Sequence, residues 1–238
     1  MPLERREAIL YIHGYNVTFS ESLFRLGQLV HDFGISGVPL LFSWPSEGEG
    51  SGYLYDRDSA LIARDTLEAL LDVLNRSQVQ RIQIIAHSMG SHLLMETLRQ
   101  RAIRNNGRLW SKLEGIVLVA PDIDIDLFTK QTKEIGNLPQ PFIIMASDQD
   151  RALRLSEFVS GSRARLGLIA SDPALAALPV TVIDTSEHAE RFGANHDTAL
   201  SSPAIISLIR GIQNSQIAED TLPAGRVALP AWLSGTQQ

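Results

Sequence analysis

Residues 82–98 read Ile82-Gln83-Ile84-Ile85-Ala86-His87-Ser88-Met89-Gly90-Ser91-His92-Leu93-Leu94-Met95-Glu96-Thr97-Leu98, and their reading decides the fold. The apolar run 82–85 is a buried strand, the segment beyond Gly90 has helical character, and a serine sits at the tip of the sharp turn between them. A turn this tight holds its serine in a strained backbone conformation. The positions two before and two after it must then be small, because strand and helix nearly touch there. Ala86 and Gly90 meet that demand, with alanine standing where the commoner version carries glycine. A strand–serine–helix turn of this kind is a nucleophile elbow.

Upstream, the short apolar strand Ala8-Ile9-Leu10-Tyr11-Ile12 runs directly into His13-Gly14-Tyr15-Asn16. A His-Gly at the end of a strand shapes a loop whose backbone N–H supplies half of an oxyanion hole. The residue after the nucleophile supplies the other half. The expected donors are therefore the N–H groups of Tyr15 and Met89. An elbow alone could be an ordinary strand-to-helix turn with an inert serine. The two motifs together, in this order and at this spacing, favour the catalytic reading.

The 238 residues suit one domain with a sizeable core, taken as 1–238 with a C-terminal tail at 211–238. The chain is 44% hydrophobic and 20% charged, as expected of a globular protein in water. A net charge of −6 with no Lys/Arg cluster offers no nucleic-acid surface. The longest apolar runs, such as Ile116-Val117-Leu118-Val119-Ala120, are far too short for a membrane span. Met1-Pro2-Leu3-Glu4-Arg5-Arg6 leads into a core strand without a hydrophobic export segment, so the expected location is cytoplasmic. With 0 cysteines, the chain has no disulfides, thiol chemistry or cysteine metal sites. No cofactor or metal is expected, and the oligomeric state is left open.

Apolar strands near 7–12, 38–43, 81–86, 115–120, 141–146 and 179–184 alternate with helical stretches near 20–33, 58–76, 90–104, 126–135, 150–160 and 198–210. The strands are near-continuous apolar runs, which fits a parallel sheet covered by helices on both faces. The pattern predicts a doubly wound α/β sheet of about six strands with its site at their carboxyl ends. The longest irregular connections are 46–52, rich in Gly and Ser, and 160–179. The tail beyond 211, punctuated by Pro and Gly, is expected to lie over the surface.

An elbow serine needs a histidine and an acid, in the chain order Ser, Asp/Glu, His. Strand 141–146 ends in Ser147-Asp148-Gln149-Asp150, which offers Asp150 first and Asp148 second. The acidic run Pro121-Asp122-Ile123-Asp124-Ile125-Asp126 follows the preceding strand and is an alternative place for the acid. That run begins like a calcium loop, but Leu127 falls at position six and no glutamate closes position twelve. Solvation and helix capping are its simpler roles. Of six histidines, His13 and His87 belong to the two motifs, His31 lies within a helix and His92 packs just after the elbow. His196, in the loop before the final helix, is the expected base, with His188 as the fallback.

The motifs His13-Gly14-Tyr15-Asn16, Phe42-Ser43-Trp44-Pro45-Ser46, Gly52-Tyr53 with Asp56, Ala86-His87-Ser88-Met89-Gly90, Ala120-Pro121-Asp122-Ile123-Asp124 and Asp150-Arg151-Ala152-Leu153 occur in that order. The set resembles the bacterial α/β-hydrolases grouped as DUF900, within the esterase/lipase superfamily, from about residue 7 to 210. The resemblance implies an α/β-hydrolase fold with Ser88, Asp150 and His196 at the triad positions, and its Asp-Arg-Ala-Leu motif selects Asp150 over Asp148. The chain would begin at what is the third strand of larger relatives. No long insertion follows strand 115–120, so no large cap is expected.

Such a site would cleave a small-molecule carboxylic ester through an acyl-enzyme. Trp44 and Tyr53 flank the 46–52 loop and are expected to wall the substrate pocket, although Trp44 and Pro45 could equally close off their strand and pack on the core. The same triad serves thioesterases, acyltransferases, amidases and peptidases, because fold and triad do not fix the chemistry. A non-catalytic binding protein on this fold is the remaining alternative.

Overall fold

A computed structural model describes residues 6–35, 37–147, 150, 153, 165–168, 175, 177–186 and the backbone of 225–227. Among the described residues seven parallel strands form one sheet in the order β2-β1-β3-β4-β5-β6-β7. They are β1 (Glu7–Ile12), β2 (Val38–Phe42), β3 (Arg81–His87), β4 (Leu113–Val119), β5 (Phe142–Ala146), β6 (Thr181–Asp184) and β7 (Gly225–Val227). The first six match the expected strands to within about two residues. Gly225–Val227 is an addition, because three residues of the tail read as surface carry no periodic signal.

Four helices connect the early strands: α1 (Phe19–Phe33), α2 (Tyr53–Arg76), α3 (Met89–Arg104) and α4 (Ile125–Ile135). Their ends follow from local chemistry. Thr18 and Glu21 close a capping box on α1, and Gly34 ends it in the left-handed region at φ 60°. Asp124 caps α4 by accepting from the N–H groups of Asp126 and Leu127. β4 ends at Val119 and α4 starts at Ile125, which leaves no room for a cap between them. Apart from Asp150 and Leu153, the helical stretches expected at 150–160 and 198–210 lie outside the described residues.

The sheet separates two apolar clusters. Ile9, Tyr11, Ile85, Val119, Ile143 and Met145 pack with Leu26 and Leu29 of α1. Their strand neighbours Leu10, Ile12, Ile84, Leu118, Ile144 and others pack with α2, α3 and α4. Alternate residues of one strand thus serve opposite faces, which is why each strand is apolar throughout. Burying each Leu or Ile contributes about 1.5–3 kcal/mol. Among the described residues no helix is long and apolar enough to cross a membrane.

β1 lies between β2 and β3, so the chain leaves β1 toward one side and re-enters the sheet at β3 on the other. The loops after β1 and β3 meet at this reversal, the place where open α/β sheets hold their ligands.

Candidate active site

Ser88 stands at the junction of β3 and α3 with φ 52° and ψ −123°, a conformation that costs a non-glycine residue on the order of 1–3 kcal/mol. Hydrogen bonds on both sides of the residue hold it there. Its N–H donates to Val119 O at 2.9 Å, and its carbonyl accepts from the N–H groups of Ser91 (3.0 Å) and Asp122 (3.2 Å). The side chain is 4% exposed. A Cβ on Gly90 would lie 2.4 Å from His13 O and 2.8 Å from Ile12 O, both backbone atoms, so no larger residue fits.

Gly14 faces the elbow from the β1 loop. A Cβ there would come within 2.8 Å of Ser88 Cβ and 3.0 Å of His87 Nδ1. The neighbouring His13, 1% exposed, shapes this loop from inside. Its Nε2 accepts from the Trp44 N–H at 3.2 Å. That bond leaves the proton on Nδ1, which donates to Gly14 O at 2.9 Å. Burial holds the His13 imidazole below its ordinary pKa, opposed by the hydrogen bonds at Gly14 and Trp44. Gly14 O and Tyr15 N share one peptide plane, so anchoring the carbonyl also sets the direction of the Tyr15 N–H. Among the described residues no acceptor takes that N–H. Met89 is the first residue of α3, where an N–H has no intrahelical partner.

Trp44 is 2% exposed, stacks on His13 at 5.1 Å and donates its indole N–H to His13 O at 2.8 Å. These contacts are those of a packing residue that supports the His13-Gly14 loop. Tyr53 is 8% exposed and meets Tyr15 edge to face at 5.4 Å. Its hydroxyl donates to Asp122 Oδ2 at 2.9 Å.

Asp122 Oδ1 also pairs with Arg165 Nε at 3.2 Å, and Arg165 reaches the Tyr53 hydroxyl at 3.4 Å. Asp122 is therefore a buried, paired carboxylate and not a solvated loop acid, whereas Asp124 has the capping role expected of this run. Asp150 follows β5, is 6% exposed and accepts from the Leu153 N–H at 3.0 Å. Asp148, His188 and His196 lie outside the described residues.

Two further residues surround the site: Asp56, which the motif Gly52-Tyr53 with Asp56 contains without a role assigned to it, and Arg165. Asp56, 0% exposed, accepts from Asn16 N–H (3.2 Å), Glu47 N–H (2.7 Å) and the Ser46 hydroxyl. Its signal was an acid on the apolar stripe Tyr53, Ala60, Ala63, Leu67, Leu71 of α2. Arg165, in the irregular stretch 160–179, carried no such signal.

Among solved structures, the chain resembles an esterase of Pyrobaculum calidifontis at 14% identity and a TM-score of 0.51, covering 92% of this chain and 79% of that one. A Thermus thermophilus protein matches at 12% identity and 0.56, covering 92% of each chain. Lipase B of Aspergillus fumigatus matches at 12% identity and 0.58, covering 94% of this chain and 57% of that one. Likeness at these identities is one of fold. An uncharacterized protein of Nostoc sp. (strain PCC 7120) is 29% identical over 126 residues, covering 40% of this chain and 33% of its own length. The chain thus spans about a third of that relative. The family profile described as "Alpha/beta hydrolase of unknown function (DUF900)" matches residues 3–212, and the chain belongs to that α/β-hydrolase family.

Proposed function

We propose that the protein is a serine hydrolase that cleaves carboxylic esters through an acyl-enzyme. The observation that carries this reading is the left-handed Ser88 packed against Gly14; Tyr15 follows Gly14 and Met89 follows Ser88 in the chain, which supports their N–H groups as the donors. In the proposed reaction Ser88 Oγ attacks the ester carbonyl while His196 takes its proton and returns it to the departing alcohol. Water then repeats the sequence on the acyl-enzyme, and Asp150 keeps the imidazole in the productive tautomer. Tyr15 and Met89 hold the oxyanion, where a single donor is worth about 3–4 kcal/mol of transition-state stabilisation.

Asp150 is favoured by its place just beyond β5 and its Asp-Arg-Ala-Leu context, and the two acids after β4 have other roles. Asp122 is engaged by Arg165 and Tyr53, and Asp124 by the first turn of α4. The esterase and lipase among the fold relatives are consistent with ester cleavage and do not specify the acyl group. The test uses a fluorophosphonate probe with a panel of p-nitrophenyl esters of graded chain length. Prompt labelling at Ser88 and turnover that Ser88→Ala abolishes are expected. More than a few per cent of activity left in pure Ser88→Ala protein would overturn the assignment.

A further inference from the structure

We propose that Asp56 is a positioning residue for the oxyanion site, acting through the backbone on either side of Tyr15; this rests on the reading of Ser88 as nucleophile and Tyr15 as donor. Asp56 sits in the first turn of α2, is fully buried, and has no ion-pair partner among the described residues. A buried carboxylate without a cation costs several kcal/mol unless its oxygens are satisfied by hydrogen bonds. Its donors come from two loops. Asn16 N–H and the Ser46 hydroxyl reach Oδ2, and Glu47 N–H reaches Oδ1. The first loop leaves β1 and the second leaves β2, the adjacent strand. The N-terminal end of α2 adds a favourable dipole for the negative charge.

Asn16 links Asp56 to the candidate donor loop. It stands at φ 55°, a left-handed conformation that asparagine adopts more readily than most residues, and the bond to Asp56 fixes the direction of its N–H there. The peptide before Tyr15 is anchored by His13 Nδ1 on Gly14 O, and the peptide after it by Asp56 on Asn16 N–H. Tyr15 is thereby fixed from both sides, and its N–H is preorganised for charge that develops only in the transition state. The Tyr15 hydroxyl in turn donates to Gly50 O at 2.6 Å, so the same residue ties down the 46–52 loop. Asp56 does not touch the reacting atoms.

The substitution Asp56→Asn keeps the shape but removes one acceptor. The Asn16 and Glu47 N–H groups approach different oxygens and can only donate, so the amide must turn its NH2 toward one of them. The experiment measures p-nitrophenyl acetate turnover per active site, with sites counted by the end point of fluorophosphonate labelling. It also measures inhibition by a boronic acid that forms a tetrahedral adduct on the serine. For Asp56→Asn we expect kcat per site to fall about 10- to 100-fold and the boronate to weaken in parallel, with KM within about twofold. Glu68→Gln, which alters another buried carboxylate of α2, should change stability and leave kcat per site intact. If Asp56→Asn does not fold, Ser46→Ala removes one donor from Oδ2 and should lower kcat per site about two- to fivefold at constant KM.

Activity surviving Ser88→Ala would defeat the serine reading itself. If Ser88→Ala is inactive while Asp56→Asn (or Ser46→Ala, where that variant is used) keeps kcat per site and boronate affinity within twofold of the parent, the positioning role is overturned and Asp56 only holds the fold.

Discussion

Gly14 lies so close to Ser88 that a Cβ on the glycine would sit 2.8 Å from the serine's own Cβ. The contact joins the loop after β1 to the elbow after β3 across the reversal in strand order. Gly14→Ala should therefore act on the site and on the fold together. Ser88 Cβ moves only with its backbone, so the β1 loop and the elbow would have to spread apart; kcat should drop by orders of magnitude and stability should fall by about 1–3 kcal/mol. Unchanged kcat would mean that the two loops are not held in register.

Gly90 is more tightly enclosed still. The atoms in the way are the carbonyls of His13 and Ile12, and backbone cannot rotate aside as a side chain can. Gly90→Ala should cost about 1–3 kcal/mol or more and abolish activity. Gly27 in α1 has nothing within 4 Å of its would-be Cβ, so Gly27→Ala should stabilise by about 0.5–1 kcal/mol. Chemical denaturation of the two variants decides both points.

These glycines also mark what could be read from the sequence. The spacing Ala86-x-Ser88-x-Gly90 carries its own steric reason, and the apolar runs exposed the six main strands because each strand feeds two cores. Side-chain pairing over long sequence distances was not legible. Asp122 meets Arg165 and Tyr53 through folding alone, and no local pattern links those three residues. For Trp44 the sequence left a pocket wall and core packing open, and its indole N–H and ring are taken up by His13.

Acid should weaken the fold through its buried histidines. His13 and His92 both have pKa values lowered by burial from the ordinary 6.5, so the unfolded chain binds protons that the native state refuses. Their contribution is complete above pH 6.5 and is lost as pH falls from 6.5 toward the lowered native values. Urea denaturation followed from pH 8 to 5 should show that decline. His92→Gln should flatten it without affecting the residues proposed for catalysis, and an unaltered slope would refute the contribution of His92.

The two histidines proposed for the base are separated by their expected cost. His196→Ala should lower kcat at least a thousandfold, as loss of a triad base does, whereas His188→Ala should cost less than tenfold. A reversed ranking moves the base to His188.

The acid is decided by setting two buried aspartates against each other. Asp150→Asn should leave the fold intact and lower kcat by orders of magnitude, because an amide presents the wrong partner to the imidazole. Asp122→Asn should do the reverse in emphasis. Arg165 is 5% exposed, and breaking its buried ion pair with Asp122 typically costs about 3–5 kcal/mol. Any loss of activity there should follow the loss of folded protein, since the Asp122 N–H that holds the Ser88 carbonyl is backbone and survives the change. Measuring kcat per fluorophosphonate-labelled site alongside urea stability separates the two effects. If Asp122→Asn lowers kcat per site as far as Asp150→Asn is expected to, while remaining folded, the triad acid follows β4 and Asp150 loses its role.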